Sequence, residues 1–281
     1  MTQILALGTL YLVGTPIGNL QDMSLRGVRI LQEVDLIAAE DTRHTGKLLH
    51  HFQITTPQIS YYKHNQGYRT KELIVKLQQG INIALVSDAG MPSISDPGYL
   101  LVKEAIACSI AVIPIPGVSA GITALAVSGL ITERFVFEGF VPVKGQVRSD
   151  RLKEIAQETK TMIFYEAPHR LVTTLKDLAT ALGETRKVVL AREITKIHEE
   201  FWRGDLASAI ALYQEERKPK GEFTLIVAGA EKAPEILLSE SEVKKELQQL
   251  LQQGMTRSQA SRHLAKLTNL SRQEIYQLSL Q

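Results

Sequence analysis

Short apolar runs recur along the first 230 residues, each followed by a stretch with helical spacing. Residues 9–14 (TLYLVG), 34–40 (VDLIAAE), 56–62 (TPQISYY), 81–86 (INIALV) and 110–115 read as strands. Between them, residues 24–31, the Leu73, Ile74, Leu77 pattern, residues 97–108 and the segment after PGVSA read as helices. Apolar strands spaced by helices predict βα units around a mainly parallel sheet. The pattern restarts at residues 134–140. Strands follow at 161–165, 187–191 and 222–228, with helices at 169–182 and 206–215. The polar stretch 141–151 (VPVKGQVRSDR) reads as an exposed loop. The expected fold class is α/β: two α/β lobes, 1–130 and 131–231, with a ligand cleft between them.

Beyond Lys232 the pattern becomes purely helical. A helix starting at Ser239 or Ser241 ends at Gly254. Thr256 caps a second helix with Ala260, Leu264 and Leu267 on one face, and Ser271 caps a third carrying Ile275 and Leu278. Two short helices separated by TNLS resemble a helix-turn-helix. A small bundle packed on the body or on a partner subunit explains the pattern equally well. Residues 232–281 are therefore expected to form a small helical tail.

Composition narrows the picture. The chain has 281 residues, 44% hydrophobic and 22% charged, as expected of a globular protein. A formal net charge of +2 leaves nucleic-acid binding to local clusters of cations. One cysteine, Cys108, excludes an intrachain disulfide and a cysteine-based zinc site and fits a reducing cytosol. The start MTQILALGTLYLV has no basic segment before its apolar run and does not read as a signal peptide. The uncharged stretch 110–130 is interrupted by Pro114, Pro116 and Gly117, which argues against a membrane span. A cytoplasmic protein without membrane contact is expected.

Three loops at predicted strand ends carry the candidate chemistry. VGTPIGNL (13–20) has neither the G-x-G-x-x-G spacing nor a P-loop lysine. SDAGMPSISDPG (87–98) is acidic, rich in glycine and proline, and has no basic residue, so it is unsuited to a phosphate. Its carboxylates suit ribose hydroxyls or a ligand with positive charge. Asp88 lies at the strand end and reads as the ligand-facing group; Asp96 reads as the cap of the helix beginning at Pro97. The two lack EF-hand spacing and no histidine sits among them, so no metal site is expected. IPIPGVSAG (113–121) puts Ser119 and Ala120 at a helix start, where backbone groups can meet a heterocycle. Three loops at the carboxyl ends of parallel strands converge on one crevice. A nucleoside with a cationic part fits it, and S-adenosylmethionine is such a ligand.

GTLYLVGTPIGNLQD, AAEDTRHTGKLL, SDAGMPSISDPG, PGVSA, FYEAPHRL, AREITKIHEE and GEFTLIV occur in that order. Together they resemble the bacterial ribosomal RNA small subunit methyltransferase I family of the tetrapyrrole-methylase-like superfamily. The resemblance runs from about residue 9 to 229 and continues into the tail. It implies a homodimer of two-lobed subunits that uses S-adenosyl-L-methionine to methylate a cytidine 2′-hydroxyl in the decoding region of 16S rRNA. The partner would be that RNA or the small ribosomal subunit, not DNA. Carried onto this chain, the cofactor cleft takes Pro16, Asp88, Gly90, Ile94, Ser95, Ser119 and Ala120 from the first lobe. From the second it takes Tyr165, Glu166, Ala191, Glu193, Glu222 and Thr224. Family members often have an acidic residue before the histidine of the HN motif; here Lys63 precedes His64.

A ribose hydroxyl is a poor nucleophile until it loses its proton, so a general base helps. Asp41, His64, Glu166 and His169 are candidates on loops facing the cleft, Asp41 first among them. A salt bridge to Arg43 or a helix cap would equally account for Asp41, a loop hydrogen bond for His64, and a helix cap for Glu166 and His169. RNA phosphates require cations. Arg26, Arg29, Arg43, Lys47, Lys63, Arg69, Lys144, Arg148, Arg151 and Arg170 are the candidates, with Tyr61 and Tyr62 for stacking. Two other readings stay open: a tetrapyrrole (precorrin-type) methyltransferase of the same fold, and a non-catalytic RNA-binding assembly module.

Overall fold

The computed structural model describes residues 6–230, 240–265, 268 and 270–280. The chain forms two compact units, Met1–Gly229 and Ala230–Gln281. Both lobes belong to the first. The expected lobe-to-tail boundary at 231/232 begins a segment outside the described residues, as do Ser239 and Leu267.

The first lobe is built on β1 (Thr9–Val13), β2 (Leu36–Ala39), β3 (Gln58–Ser60), β4 (Ile83–Val86) and β5 (Ala111–Ile115). These strands run parallel in the order β3-β2-β4-β1-β5. Successive side chains alternate between two buried faces. Ile37, Ala39, Ala84 and Val86 join one core with Ile30 and Leu31 of α1 (Leu25–Glu33) and Leu49 of α2 (Thr42–His51). Ala38, Ile83 and Leu85 join the opposite core with Leu73 and Leu77 of α3 (Gln66–Gln78) and Leu101 and Ala105 of α4 (Tyr99–Ala107). Serine and aspartate start the first two helices. Ser24 Oγ accepts from Gly27 N at 3.0 Å and Asp41 Oδ1 from Arg43 N at 2.8 Å.

The second lobe departs from the sequence expectation. Its strands are β6 (Phe135–Phe140), β7 (Thr161–Glu166), β8 (Lys187–Arg192), β9 (Glu200–Asp205) and β10 (Phe223–Val227), ordered β6-β7-β10-β8-β9. Only β6 and β7 pair in parallel; the other three pairings are antiparallel. Strand β9 was not anticipated, because EFWRGD carries three charges and has only half-buried and exposed positions at the sheet edge.

The expected loop at 141–151 holds only for 141–144; from Gly145 the chain is helical as α6 (Gly145–Ile155), and its polar pattern is misleading for a definite reason. Arg148 is 8% exposed. Its guanidinium donates to Asp177 Oδ2 at 2.7 Å, Pro142 O at 2.7 Å and Thr174 Oγ1 at 3.1 Å. A buried arginine with its donors satisfied thus occupies a core-facing position of this helix. Arg148 is structural and is withdrawn as an RNA contact.

Helices α7 (Leu171–Leu182) and α8 (Leu206–Ala211) join one face of this sheet, around Met162, Phe164, Leu190 and Leu225. The opposite face, with Ile163, Val189, Ala191 and Ile226, is covered by Ala124 and Leu125 of α5 (Ala120–Ala126). Helix α5 follows β5 of the first sheet directly, so the chain crosses between the lobes at PGVSA.

The tail holds α9 (Glu240–Gln252), α10 (Arg257–Leu264) and α11 (Arg272–Leu278). Val243, Leu247, Leu250, Ala260, Leu264 and Ile275 form a core of their own. Thr256 and Ser271 each close a capping box, with Gln259 and Glu274 respectively. Ser241 lies within α9 and is not its cap.

Candidate active site

A cavity of about 390 Å³ is lined by both lobes. The first lobe contributes loops at the carboxyl ends of its parallel strands, as expected for an open α/β sheet. Ile17 follows β1, Glu40 follows β2, and Ser119 and Ala120 follow β5. The loop after β4 supplies Asp88, Gly90, Ile94, Ser95 and Asp96. From the second lobe come Phe140 and Tyr165, then Ala191 and Ile194, then Glu222 and Thr224.

The acidic loop is held from behind. Thr15 and Gly90 exchange backbone hydrogen bonds at 2.9 and 3.0 Å, and Thr15 Oγ1 donates to Ser87 O at 3.1 Å. Gly90 has φ +80°, a left-handed conformation that glycine adopts freely. Ser93 (φ 73°) and Ser95 (φ 64°) adopt the left-handed region without that freedom. Such backbone persists where the surroundings impose it, and it clusters at ligand sites. The buried Ser93 Oγ has no hydrogen-bond partner among the described residues.

Three carboxyl groups share the first-lobe wall: Glu40, Asp88 and Asp96. Asp88 Oδ1 accepts from Asp41 N at 3.1 Å, and Glu40 Oε2 accepts from Asp88 N at 3.3 Å. Among the described residues, no lysine, arginine or histidine lies within ion-pair distance of any of the three. Arg43 feels Asp88 only at longer range. Burial raises the pKa of Glu40, and the nearby charges of Asp88 and Asp41 add to the shift. Burial and then the charges of Glu40 and Asp88 push Asp96 up to about 7, against an opposing hydrogen bond from Ser87. Asp96 is therefore a cavity group. The N-cap of α4 is Gly98, without a side-chain cap, so the expected helix-capping role of Asp96 is withdrawn.

The structure sorts the remaining candidates. Asp88, Gly90, Ile94, Ser95, Ser119, Ala120, Tyr165, Glu166, Ala191, Glu222 and Thr224 line the cavity. Pro16 does not. Its neighbour Ile17 does. Glu193 also stays out. Its Oε1 accepts from Lys196 Nζ at 3.0 Å and Glu222 N at 2.9 Å. Asp41 lies outside as well, clamped by Arg43 Nε at 3.0 Å and Nη2 at 2.6 Å. Those bonds hold its carboxyl well below the usual range, so it is a poor proton acceptor near neutrality. His64 is exposed and stands edge-on to Tyr62 with ring centroids 6.3 Å apart. Glu166 is saturated: Thr174 Oγ1 donates to it at 2.6 Å, Ala167 N at 2.8 Å, and Arg170 Nε lies at 3.4 Å.

Among the RNA candidates, Arg151 pairs with Glu138 and Glu154, and Arg170 is tied to Glu166 and the Val141 carbonyl. Tyr61 is fully buried with its hydroxyl on Thr70 Oγ1 at 3.0 Å, and cannot stack on a base. Sequence reasoning missed Glu40 and Phe140 in the cavity wall. Glu40 had a signal: it ends the VDLIAAE strand, one residue from the singled-out Asp41.

A crevice at strand ends, whose first-lobe wall holds three carboxyl groups with no cation paired to them among the described residues, defines a two-lobed α/β protein built for a nucleoside-sized ligand with positive charge. Residues 9–210 match the model of the Tetrapyrrole (Corrin/Porphyrin) Methylases. A Synechocystis sp. protein named ribosomal RNA small subunit methyltransferase I is 60% identical over 275 residues, 98% of each chain. A Streptococcus pyogenes protein of the same name is 49% identical over 271 residues, 96% of this chain and 94% of the other. The solved uroporphyrin-III C-methyl transferase of Thermus thermophilus, complexed with S-adenyl homocysteine, superposes with a TM-score of 0.57 at 17% identity. That match covers 79% of this chain and 97% of the other. The chain belongs to the tetrapyrrole methylase family and, within it, to the ribosomal RNA small subunit methyltransferase I group.

Proposed function

We propose that the chain is an S-adenosyl-L-methionine-dependent methyltransferase acting on the 2′-hydroxyl of a cytidine in the decoding region of 16S rRNA. The observation that carries the RNA substrate, over a tetrapyrrole, is the likeness to the Synechocystis protein along 98% of both chains, tail included. The cavity fits the cofactor: unpaired carboxylates meet positive charge, and Gly90 allows close backbone approach. Bound there, S-adenosyl-L-methionine supplies a methyl group on a sulfonium.

The protein's own contribution is charge, orientation and a proton acceptor. Glu40 and Asp88 face the positive charge of the ligand. The backbone at Gly90, Ile94 and Ala120 frames the nucleoside, with Ser95 and Ser119 beside it. Tyr165 Oη accepts from Gly121 N at 3.2 Å and ties β7 to α5 beside the cavity. Ala191, Glu222 and Thr224 close the far wall. Asp96 replaces Asp41 as the proton acceptor. It lines the cavity, burial and neighbouring carboxylates push its pKa up to about 7, and no arginine pairs with it among the described residues.

Arg26, Lys47, Lys63 and Lys144 are exposed and make no ion pair among the described residues; they form the body's RNA surface. Exposed Phe135, Phe137 and Phe140 on edge strand β6, with exposed Ile122 of α5 and Val127 at its C-cap, form the face that a second copy covers in a homodimer. No helix among the described residues is long and apolar enough to cross a membrane, and the proposed RNA substrate places the protein in the cytoplasm. The test is ribose-methylation mapping of ribosomal RNA from cells with and without the chain. One cytidine ribose of the small-subunit RNA should lose its methyl group in the deletion and regain it on complementation. An unchanged map would refute the proposal.

A further inference from the structure

The tail divides into two halves of opposite charge. Helix α9 carries Glu240, Glu242 and Glu246 against Lys244 and Lys245. The segment with α10 and α11 carries Arg257, Arg262, Lys266 and Arg272 against a single acid, Glu274. That acid is already engaged, since Glu274 Oε2 accepts from Ser271 N at 2.7 Å in the capping box. The body spends many of its arginines internally: Arg148 on Asp177, Arg170 on Glu166, Arg217 on Glu200. Arg257, Arg262 and Arg272 are exposed and make no ion pair among the described residues.

Geometry gathers two of these cations with an aromatic ring. Arg272 Nη2 donates to Ser258 Oγ at 2.9 Å, which joins the start of α11 to one side of α10. Arg262 lies one helical turn beyond Ser258 on that side, and Tyr276 lies one turn beyond Arg272. The buried face of α10 is elsewhere, at Ala260, Ser261 and Leu264. Arg262 and Tyr276 are both exposed.

We propose that the face formed by Arg262, Arg272 and Tyr276 is a docking surface for RNA, with the two guanidiniums on backbone phosphates and the tyrosine ring stacked on an unpaired base. Charge selects this occupant: a cationic face with its one acid engaged matches a phosphate chain, and arginines interleaved with an exposed aromatic match single-stranded RNA. The inference rests on the proposed RNA methyltransferase function and adds a contact surface outside the cavity.

The test uses the full chain and a transcript of the 16S decoding region. Arg262→Glu combined with Arg272→Glu should weaken RNA binding on the order of 10-fold or more and reduce the slope of log K against log salt by about two. Tyr276→Ala should weaken binding without changing that slope. Ser258→Ala, which removes only the hydrogen bond, should leave the slope intact, and S-adenosyl-L-methionine affinity should stay at the wild-type value in every variant. Circular dichroism of the milder Arg262→Gln/Arg272→Gln variant guards against misfolding, and it should lose the same two units of slope. Unchanged RNA affinity and slope in both double variants would overturn the inference. Loss of dimer in sedimentation, with RNA affinity kept, would overturn it too and assign the face to protein contact. Failure of the functional reading looks different: the wild-type chain would then transfer no methyl group to the RNA.

Discussion

The two lobes bring carboxylates to the same cavity in opposite states. Those of the first lobe, Glu40, Asp88 and Asp96, have backbone or hydroxyl partners and no ion-paired cation. Those of the second are held: Glu166 by Arg170 and Thr174, Glu222 by Lys196 at 3.0 Å. An ion-paired carboxylate supports the fold, and losing it leaves a partner stranded. An unpaired one in a half-buried wall costs stability until a cation arrives. The first lobe thus keeps charge available for a ligand, and the second spends the charge of buried Glu166 on architecture, while exposed Glu222 makes only a surface pair.

The contrast is broken most sharply at Asp96. Asp96→Asn should slow single-turnover methyl transfer by about 100-fold, the usual scale for a lost general base. In the wild type, the rate should rise with pH and level off above about 7, as Asp96 loses its proton; the variant should lose that inflection. Stability should run the other way. The folded state holds this proton more tightly than the unfolded chain does. The resulting stabilisation is complete below about pH 4 and is lost as pH rises through about 7. Urea titrations at pH 5 and 8 should therefore differ less in Asp96→Asn than in the wild type.

Next in size is the second-lobe counterpart. Glu166→Ala strands Arg170 and Thr174 and should cost about 3 kcal/mol in denaturant unfolding. The loss should fall on stability more than on S-adenosyl-L-methionine affinity, because this carboxylate is already committed to Thr174, Ala167 and Arg170. Asp88→Asn should show the inverse: unfolding free energy near the wild type and cofactor affinity about 10-fold weaker by calorimetry. The smallest effect belongs to Asp41→Asn. Asparagine is an equally good helix cap, and the lost Arg43 contact is a surface pair, so the single-turnover rate should stay within about twofold of the wild type. A large rate loss there would return the proton-accepting role to Asp41.

Much of this arrangement was legible in the residues. The INIALV strand and the wrongly charged loop after it located the cavity, because strand runs and glycine–proline turns are local signals. Strand direction in the second lobe was hidden, since direction depends on how the chain connects and not on any one strand's composition. LVTTLKDLATAL reads as a helix alone, but nothing in it says that Asp177 and Thr174 will draw Arg148 inward from 29 and 26 residues away. Which of Asp41 and Asp96 caps a helix and which lines the cavity was hidden for a similar reason. Arg43, two residues on, could be seen beside Asp41. That Asp96 has no ion-paired cation among the described residues is a property of the assembled wall.

Helix α5 has a bearing on how such a molecule can be taken apart or recombined. Its residues follow directly from the first sheet, but Ala124 and Leu125 fill the core of the second. A break after residue 130, where the sequence suggests a seam, would carry that helix away with the wrong half and strip a face of the other sheet. Genetic exchange between relatives should therefore tolerate crossovers just before α5, near Pro116 and Gly117, better than crossovers after it. The inheritable module of the second half is longer at its front than its strands suggest.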